Sequence, residues 1–471
     1  MKKTFIVLLL IVFLGFILRA PDLIFDSFGE PDNYYHLRMA EQVVTEERVP
    51  IFDELSMQGR YYSYAPLFHV VFAEMHLLSG IEMPLLIHVF SIMYGLMGIF
   101  VVFVFARKIF NEKVGLYSAF FLATMLYHVI RTSGNVRPDG LSLLLIPAII
   151  YLIYCKKYKI ALLLSVAQIL LHPLSSMNLI LFLILWLVIS KVKGIEVSAK
   201  KVFLIIESMV LIFLVWLNSL PYKASEYVSN VSFESSEMTK ATLFSQLYLL
   251  LFSGTFILVA LFKSKRKNFF LIAWFLFELF YGVFGTRLGI FVAFPAAILA
   301  GQGFEIVLEK IKPYTKIFFI LILVMALIIY IPDVQLRGKP LSLTERNAMK
   351  WFNDFTEKDA NVFSVWDRGH PLAELGKRKV VIDGYFEFAP ELDKRNNAMK
   401  EIASTSDCNK IFIQAKKFNS NYFFVFNSAL NSMNFKNGLL EAECDFMDYV
   451  FASDSSKIIM FDLQAEPKKQ K

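Results

Sequence analysis

The first polar segment of the chain combines side chains that could bind a metal ion. Asp32 begins the run Asp32–Arg38, which also contains asparagine, two tyrosines, a histidine and an arginine. Carboxylate oxygens are the ligands that hard divalent cations prefer, so this mixture suits metal-assisted chemistry. The same residues are also typical of an amphipathic interfacial helix with tyrosines at the membrane surface. The residues alone leave both interpretations open.

Two later polar segments contain further carboxylates. Asp139 ends the run Arg131–Asp139 and begins an apolar stretch, where it is either a site residue or a first-turn acid favoured by the helix dipole. Glu234 and Glu237 lie in the segment 219–241, which could close over a site or could be a solvated linker. These three acids are the other candidates for catalysis.

Two basic side chains are candidates for binding phosphate. Arg287 lies between two apolar runs, and the planar guanidinium matches phosphate oxygens. The alternative is an arginine that extends to lipid headgroups. His172 precedes Pro173, so it is either a site residue or the end of a helix.

The run Val365–Gly369 places a tryptophan and an aspartate at the end of an expected strand. Trp366 and Asp367 could hold a small polar group through an apolar wall and one hydrogen bond. The alternative is a core tryptophan followed by a turn.

The composition indicates that most of these segments connect membrane-spanning helices. Hydrophobic residues make up 56% of the 471 residues and charged residues 19%, which excludes disordered chains, coiled coils and ordinary soluble enzymes. A span requires about 20 apolar residues, and about eleven runs qualify. They lie at 4–20, 84–106, 114–131, 140–154, 160–172, 174–190, 202–218, 242–262, 268–285, 288–304 and 316–332.

The distribution of basic residues predicts the topology. If the apolar segment 66–80 lies along the membrane surface, every basic loop falls on the cytoplasmic side. This arrangement gives a multi-pass membrane protein with a cytoplasmic N-terminus and an exterior C-terminus. The net charge of +7 is then a topology signal and not a nucleic-acid footprint.

The sequence predicts two domains. Residues 1–332 form a multi-span domain with exterior loops 21–83, 131–139 and 219–241. Residues 333–471 form an exterior α/β domain, with helices expected at 344–354 and 391–403 and strands at 361–365, 379–382, 422–426 and 457–461. Cys408 and Cys444 both fall in this domain and could pair.

The segments resemble, in their order along the chain, the catalytic subunit of oligosaccharyltransferases, especially the single-chain archaeal kind. Asp32–Arg38 resembles the first acidic motif of that family, and Arg131–Gly134 with Asp139 resembles the second-loop motif. The segment Thr286–Ile290 resembles the arginine segment of the family. Val365–Gly369 resembles its Trp-Trp-Asp-Tyr-Gly signature, with Val365 and Arg368 replacing the first Trp and the Tyr.

The resemblance implies a GT-C-type glycosyltransferase fold and metal-dependent transfer of a glycan from a dolichol-type lipid to an asparagine of an acceptor polypeptide. In this reading the catalytic acids and ligands of Mg²⁺ or Mn²⁺ are Asp32, Asp139 and Glu234 or Glu237. Leu141 stands where the family has a further ligand. The resemblance also implies that Arg287 and His172 bind the lipid pyrophosphate. It implies that the acceptor peptide is bound by Trp366, Asp367 and Gly369.

Three alternatives share some of these features. A membrane glycosyltransferase that uses a polyprenyl-phosphate monosaccharide also has an acidic first loop, many spans and an exterior domain. A transporter is a different class, but its repeated halves and midplane polar residues are not evident in the sequence. An inactive relative would explain Leu141 and Val365.

Overall fold

The chain folds into two compact units in a computed structural model. Among the residues that the structure describes, the first unit contains Met1–Asp26, Ala65–Leu220 and Ser235–Gly338, and the second contains Ser27–Tyr64 and Lys339–Lys471. The described residues are 2–24, 28, 30–134, 136–193, 197–219, 253–262, 269–284, 288–311, 341–386, 389–426, 438–453 and 456–464.

The first unit is helical throughout its described residues. Its helices are Lys2–Ile17, Leu67–Ser79, Met83–Ile109, Glu112–Thr124, Leu126–Arg131, Pro138–Tyr154, Tyr158–Leu171, Pro173–Lys193, Ala199–Ser219, Ser253–Phe262, Phe269–Phe284 and Ala293–Lys310. Short 3₁₀ turns occur at Ala20–Ile24 and Leu288–Val292.

These helices confirm the prediction of a polytopic α-helical protein. Four of those described are long and apolar enough to cross a membrane. They are Met83–Ile109, Pro173–Lys191, Ala199–Ser219 and Ile290–Lys310. Helices also occupy the described parts of the other predicted spans, whereas 316–332 lies outside the described residues. The total number of spans stays a prediction.

The prediction of one continuous span over 114–131 is wrong. The helix Glu112–Thr124 ends at Met125, whose backbone is extended, and a second short helix follows it. The buried guanidinium of Arg19 donates to the Ala123 carbonyl at 3.3 Å and lies 2.8 Å from Nδ1 of His128. A break in the helix leaves this carbonyl available, because a continuous helix would use it in its own hydrogen-bond ladder.

Glycines let helices of the first unit approach closely. A β-carbon at Gly303 would stand 1.8 Å from the Phe256 carbonyl oxygen, and one at Gly301 would stand 2.3 Å from Oγ of Ser118. Real atoms cannot adopt these distances, so only glycine permits the packing. Small residues at helix contacts are a common feature of membrane bundles.

The second unit is built on a five-stranded mixed sheet. The strands of this sheet are β3 (Asn361–Phe363), β4 (Lys379–Val380), β5 (Tyr422–Phe426), β6 (Met447–Ala452) and β7 (Ser456–Phe461). Their order is β4-β3-β5-β7-β6. Strand β3 pairs in parallel with β4 and β5, while β7 is antiparallel to β5 and β6. A separate hairpin joins β1 (Phe52–Asp53) and β2 (Arg60–Tyr61).

Helices complete the second unit. They are Asp32–Glu46, Leu343–Phe355, Trp366–Leu375, Leu392–Ser404, Cys408–Lys417 and Gly438–Glu441, with a 3₁₀ turn at Ser56–Gln58. The helices and strands predicted for this part of the chain are present, and β6 is an addition. Strand β5 is buried at all five positions, which is typical of a central strand.

The first polar loop belongs to the same unit as the C-terminal residues. The Val380 N–H donates to the Leu55 carbonyl at 2.8 Å, so the loop extends the edge of the sheet beside β4. The sequence predicts a domain boundary at residue 332. In the structure, Ser27–Tyr64 belongs to the same compact unit as Lys339–Lys471.

A disulfide joins Cys408 and Cys444, as the sequence suggested, with 5.5 Å between the α-carbons. The bridge connects the helix Cys408–Lys417 to the segment before β6, across 36 residues. Cys155, in the first unit, is not in a disulfide.

We predict that alkylation of the protein without reductant modifies one thiol. The double variant Cys408→Ser with Cys444→Ser should lower the free energy of unfolding by about 4 kcal/mol, because the unfolded chain regains the entropy that the bridge removes. Mass spectrometry counts the thiols, and thermal unfolding in detergent reports stability. Cys155→Ser is the control. Alkylation of all three cysteines in the native protein would contradict the bridge.

Candidate active site

Asp32 is the first residue of the helix Asp32–Glu46, directly after Pro31. Proline suits the start of a helix, and the first turn favours a carboxylate because the helix dipole is positive there. Asp32 is partly exposed, whereas the eight residues that follow it are buried. The helix therefore has its acidic end at the surface and its body in the core of the second unit.

The helix Trp366–Leu375 packs against the helix that begins at Asp32. The Tyr35 and His370 rings lie 5.2 Å apart. Gly369 lets the helix Trp366–Leu375 approach the segment after β4, because a β-carbon there would stand 2.4 Å from the Ile382 carbonyl oxygen. The structure thus explains Gly369 by close packing, and the predicted acceptor-binding role of this residue stays a prediction.

Asp32, His370 and Gly384 meet at one point. A β-carbon at Gly384 would lie 3.6 Å from Oδ1 of Asp32 and 3.4 Å from Nε2 of His370. Burial lowers the pKa of His370 below its usual value, although the nearby charges of Asp383 and Asp32 act in the opposite direction. His370 is therefore a neutral imidazole beside the Asp32 carboxylate at neutral pH.

Asp383 is fully buried and holds the turn that contains Gly384. Its Oδ2 accepts a hydrogen bond from Oγ of Ser56 at 2.5 Å, and its Oδ1 accepts one from the Tyr385 N–H at 3.0 Å. Nδ1 of His370 is 3.7 Å from Oδ2, beyond hydrogen-bond distance. The carboxylate thus links the first loop to the C-terminal part of the chain.

An aromatic wall lies beside this turn. The Tyr35, Tyr64 and Tyr385 rings have centroids 5.1 to 6.1 Å apart. The Arg60 guanidinium stacks 3.7 Å above the Tyr385 ring and donates to the Tyr385 carbonyl at 2.5 Å. Such a wall excludes water from one side of the site.

Trp366 and Asp367 occupy the start of their helix. The Trp366 ring is 5.3 Å from the Phe386 ring. Nη1 of Arg368 donates to Oδ2 of Asp367 at 3.1 Å, and Nε of Arg368 lies 3.5 Å from Glu345. Burial raises the pKa of Asp367, and the neighbouring Arg368 charge acts against that shift. Acceptor binding by Trp366 and Asp367 stays a prediction.

Asp139 lies in the first unit, in the first turn of the helix Pro138–Tyr154. It is buried, and Nε of Arg137 stands 3.5 Å from its Oδ1. The helix dipole and the arginine both place positive charge near this carboxylate. The N-terminal placement that the sequence suggested is present, while metal binding by Asp139 stays a prediction.

His172 ends the helix Tyr158–Leu171. Its Nδ1 lies 2.5 Å from Oγ of Ser175 and accepts the Ser175 N–H at 3.2 Å. These bonds support the start of the next helix, in line with the helix-ending alternative. Glu234, Glu237 and Arg287 lie outside the described residues.

Metal binding by the predicted ligands stays a prediction. The described parts of the chain contain no group of three His, Cys, Asp or Glu side chains that could hold a metal ion. Asp32 belongs to the second unit and Asp139 to the first. Carboxylates match the oxygen preference of Mg²⁺ and Mn²⁺, so Asp32 and Asp139 remain candidate ligands.

The sequence patterns assign no role to three buried side chains of this unit, His370, Asp383 and Asp53. Asp383 follows a short apolar run and precedes a glycine, a pattern typical of polar residues at the end of a strand. The partner of Asp53 is Arg38, inside the first motif.

The chain matches solved structures, although no protein-family model and no curated protein matches it. The Archaeoglobus fulgidus oligosaccharyltransferase in complex with Zn and sulfate has a TM-score of 0.69 and 13% identity, over 96% of this chain and 72% of that one. The same organism's enzyme with an inhibitory peptide and a dolichol-phosphate gives 0.67 and 12%, over 90% and 69%. ArnT from Cupriavidus metallidurans, bound to undecaprenyl phosphate, gives 0.57 and 12%, over 99% of both chains.

The chain has the GT-C glycosyltransferase fold. The predicted fold class and the resemblance to oligosaccharyltransferases are confirmed at the level of the fold. Within this glycosyltransferase fold, the acidic start of the first loop and the signature region meet in one unit, as the packing of Tyr35 on His370 shows.

A buried carboxyl, Glu374, lies between the same two helices. It is 6% exposed and accepts a hydrogen bond from Nζ of Lys377 at 2.8 Å, and that ammonium is 3.7 Å from Glu41. Burial, with a contribution from Glu41, raises the pKa of Glu374 to about 7. The folded protein therefore binds this proton more tightly than the unfolded chain does.

We predict that Glu374 contributes stability below about pH 4.5 that is lost as the pH rises through about 7. Glu374→Gln keeps a neutral side chain and should remove this part of the pH dependence of unfolding, measured from pH 4.5 to 7.5. Glu391→Gln is the matched control, because Glu391 is exposed and Lys394 lowers its pKa. Equal slopes for the wild type and Glu374→Gln would contradict the assignment.

Proposed function

We propose that this protein transfers a glycan from a polyprenyl-pyrophosphate lipid to an asparagine of an acceptor polypeptide at the exterior membrane face. The observation that carries the proposal is the meeting of Asp32 with His370 and Gly384 in one unit. Two segments that the oligosaccharyltransferase resemblance singles out thereby form one surface. The proposed orientation places the N-terminus in the cytoplasm and the C-terminal residues outside.

The structural neighbours support the lipid donor and the peptide acceptor. One oligosaccharyltransferase structure contains a dolichol-phosphate and an inhibitory peptide. ArnT was solved with undecaprenyl phosphate. Both lipids carry a phosphate on a polyprenyl chain, which fits a donor whose tail lies among apolar helices.

Asp32 is the proposed group that acts on the acceptor. A partly exposed carboxylate at a helix start can accept a hydrogen bond from the acceptor amide and withdraw its proton as the glycosidic bond forms. His370 lies beside it, on the other side of Gly384. Trp366 and Asp367 are proposed to hold the acceptor peptide, and Arg287, with His172, the donor phosphates.

Metal dependence belongs to this proposal through the resemblance. A divalent cation, Mg²⁺ or Mn²⁺, would neutralise charge on the departing pyrophosphate when bound. Asp32, Asp139 and Glu234 or Glu237 are its proposed ligands, and a neighbour solved with Zn supports a divalent metal in this fold. The protein is proposed to act as a single chain.

A second candidate is transfer of one sugar from a polyprenyl-monophosphate lipid. The specific observation in its favour is that this chain and ArnT each match over 99% of their length, whereas the oligosaccharyltransferase with Zn is covered over 72%. The acceptor in that case is a protein or a lipid.

We predict that purified protein transfers glycan from extracted lipid-pyrophosphate glycans to an Asn-x-Thr peptide, and that EDTA abolishes the transfer until Mn²⁺ is restored. Product peptides are detected by mass spectrometry. A parallel reaction uses a polyprenyl-monophosphate sugar. Transfer from the monophosphate donor alone would replace the first proposal with the second, and transfer from neither would reject both.

We predict that Asp32→Asn lowers the transfer rate by about 10²-fold or more, because the amide cannot accept the acceptor proton. The matched control is Glu46→Gln, which alters a carboxylate at the other end of the same helix. Both variants should unfold at the wild-type temperature. A wild-type rate for Asp32→Asn would remove this residue from the reaction.

A further inference from the structure

Arg38 and Asp53 form a buried ion pair next to the proposed site. Their side chains are 3% and 2% exposed, and two nitrogens of the guanidinium donate to the two oxygens of the carboxylate, with 2.9 Å between Nη2 and Oδ2. Burial alone would raise the pKa of Asp53, but the charge and hydrogen bonds of Arg38 outweigh burial and lower it. Both groups are therefore ionised.

The two partners come from different elements. Arg38 lies on the helix that begins at Asp32, and its bidentate contact fixes the rotation of that helix about its axis. Asp53 ends the short strand β1, and its Oδ1 also accepts the backbone N–H groups of Leu55 and Ser56 at 3.1 and 3.3 Å. The carboxylate thus holds both the helix and the turn after β1.

The turn after β1 leads back to Asp32. Oγ of Ser56 donates to Asp383 at 2.5 Å, and the next residue, Gly384, is the one against which Asp32 rests. The helix with Asp32 and the turn beneath Asp32 are therefore joined by one continuous set of buried polar contacts. Asp53 bonds both Arg38 on the helix and the N–H groups of the turn after β1, and Ser56 continues the set to Asp383.

A buried ion pair is by itself weak evidence of a contribution to stability. Replacing both members of a buried ion pair with apolar side chains is often neutral or stabilising, whereas removing one member leaves an unpaired buried charge. A bidentate pair does supply a fixed geometry.

We infer that Asp53 is a positioning residue, which acts through Arg38 to hold the Asp32 carboxylate at the orientation that transfer requires. The inference rests on the proposed glycosyl transfer. A displacement of a reacting group by about 1 Å costs about 10²-fold in rate, and that is the loss we expect when the pair is removed.

The test is the double variant Arg38→Met with Asp53→Asn, which removes both charges and keeps an amide oxygen that can accept the Leu55 and Ser56 N–H groups. We expect it to unfold near the wild-type temperature, to transfer about 10²-fold more slowly at saturating donor, and to keep its KM for donor within about twofold. Asp53→Asn alone should lose both stability and rate. A stable double variant with the wild-type kcat would overturn the inference, since the pair would then be structural only.

Hydrogen exchange gives a second readout that does not need activity. In the double variant, peptides covering residues 33–46 should exchange faster, while peptides covering 408–426 should be unchanged. Arg378→Met is the matched control, because this buried arginine donates to the Thr356 and Asn353 carbonyls, away from Asp32.

The outcomes separate the two proposals. A wild-type protein that transfers from no donor rejects the proposed function, while exchange still tests whether the pair holds the helix. Unchanged exchange over 33–46 in the double variant, or an equal increase in Arg378→Met, overturns the positioning role. Faster exchange confined to the double variant, with a reduced kcat, supports it.

Discussion

Buried carboxylates need partners, and this requirement organises the second unit. Asp53 and Asp383 are almost completely excluded from solvent. A buried charge is tolerated only where ion pairs and hydrogen bonds replace water. Arg38, Ser56 and backbone N–H groups supply these bonds. Because those donors come from the first loop and Asp383 lies 327 positions after Ser56, satisfying the charges forces distant segments to pack together.

The apolar part of the fold follows a simpler rule and was the easier part to predict. Runs of about 20 apolar residues have few structures open to them when lipid is the solvent. Within the described residues, helices therefore appear where the sequence predicted them, apart from the break at Met125, where the buried Arg19 contacts the Ala123 carbonyl. The residues near Met125 do not indicate this contact, because Arg19 lies more than a hundred residues away in the sequence.

The candidate site was predictable only in part. Asp32 and the Trp366–Gly369 region stood out because their residue types and order resemble a known family. Asp53 and Asp383 did not, since a buried acid resembles a surface acid until its partner is known. Gly369 is a related case. The sequence suggests that this residue binds the acceptor, whereas the structure explains its lack of a β-carbon by contact with Ile382. Long-range pairing decides both cases.

The bond between Ser56 and Asp383 joins residues 327 positions apart. At about 5–20 residues per second of synthesis, roughly 15–65 s separate the appearance of these two residues. During that interval Asp53 and Arg38 can pair, but the turn beneath Asp32 does not yet exist. The surroundings of Asp32 are therefore completed only after residue 383 of the 471 has been made, so a nascent chain cannot form this arrangement before then.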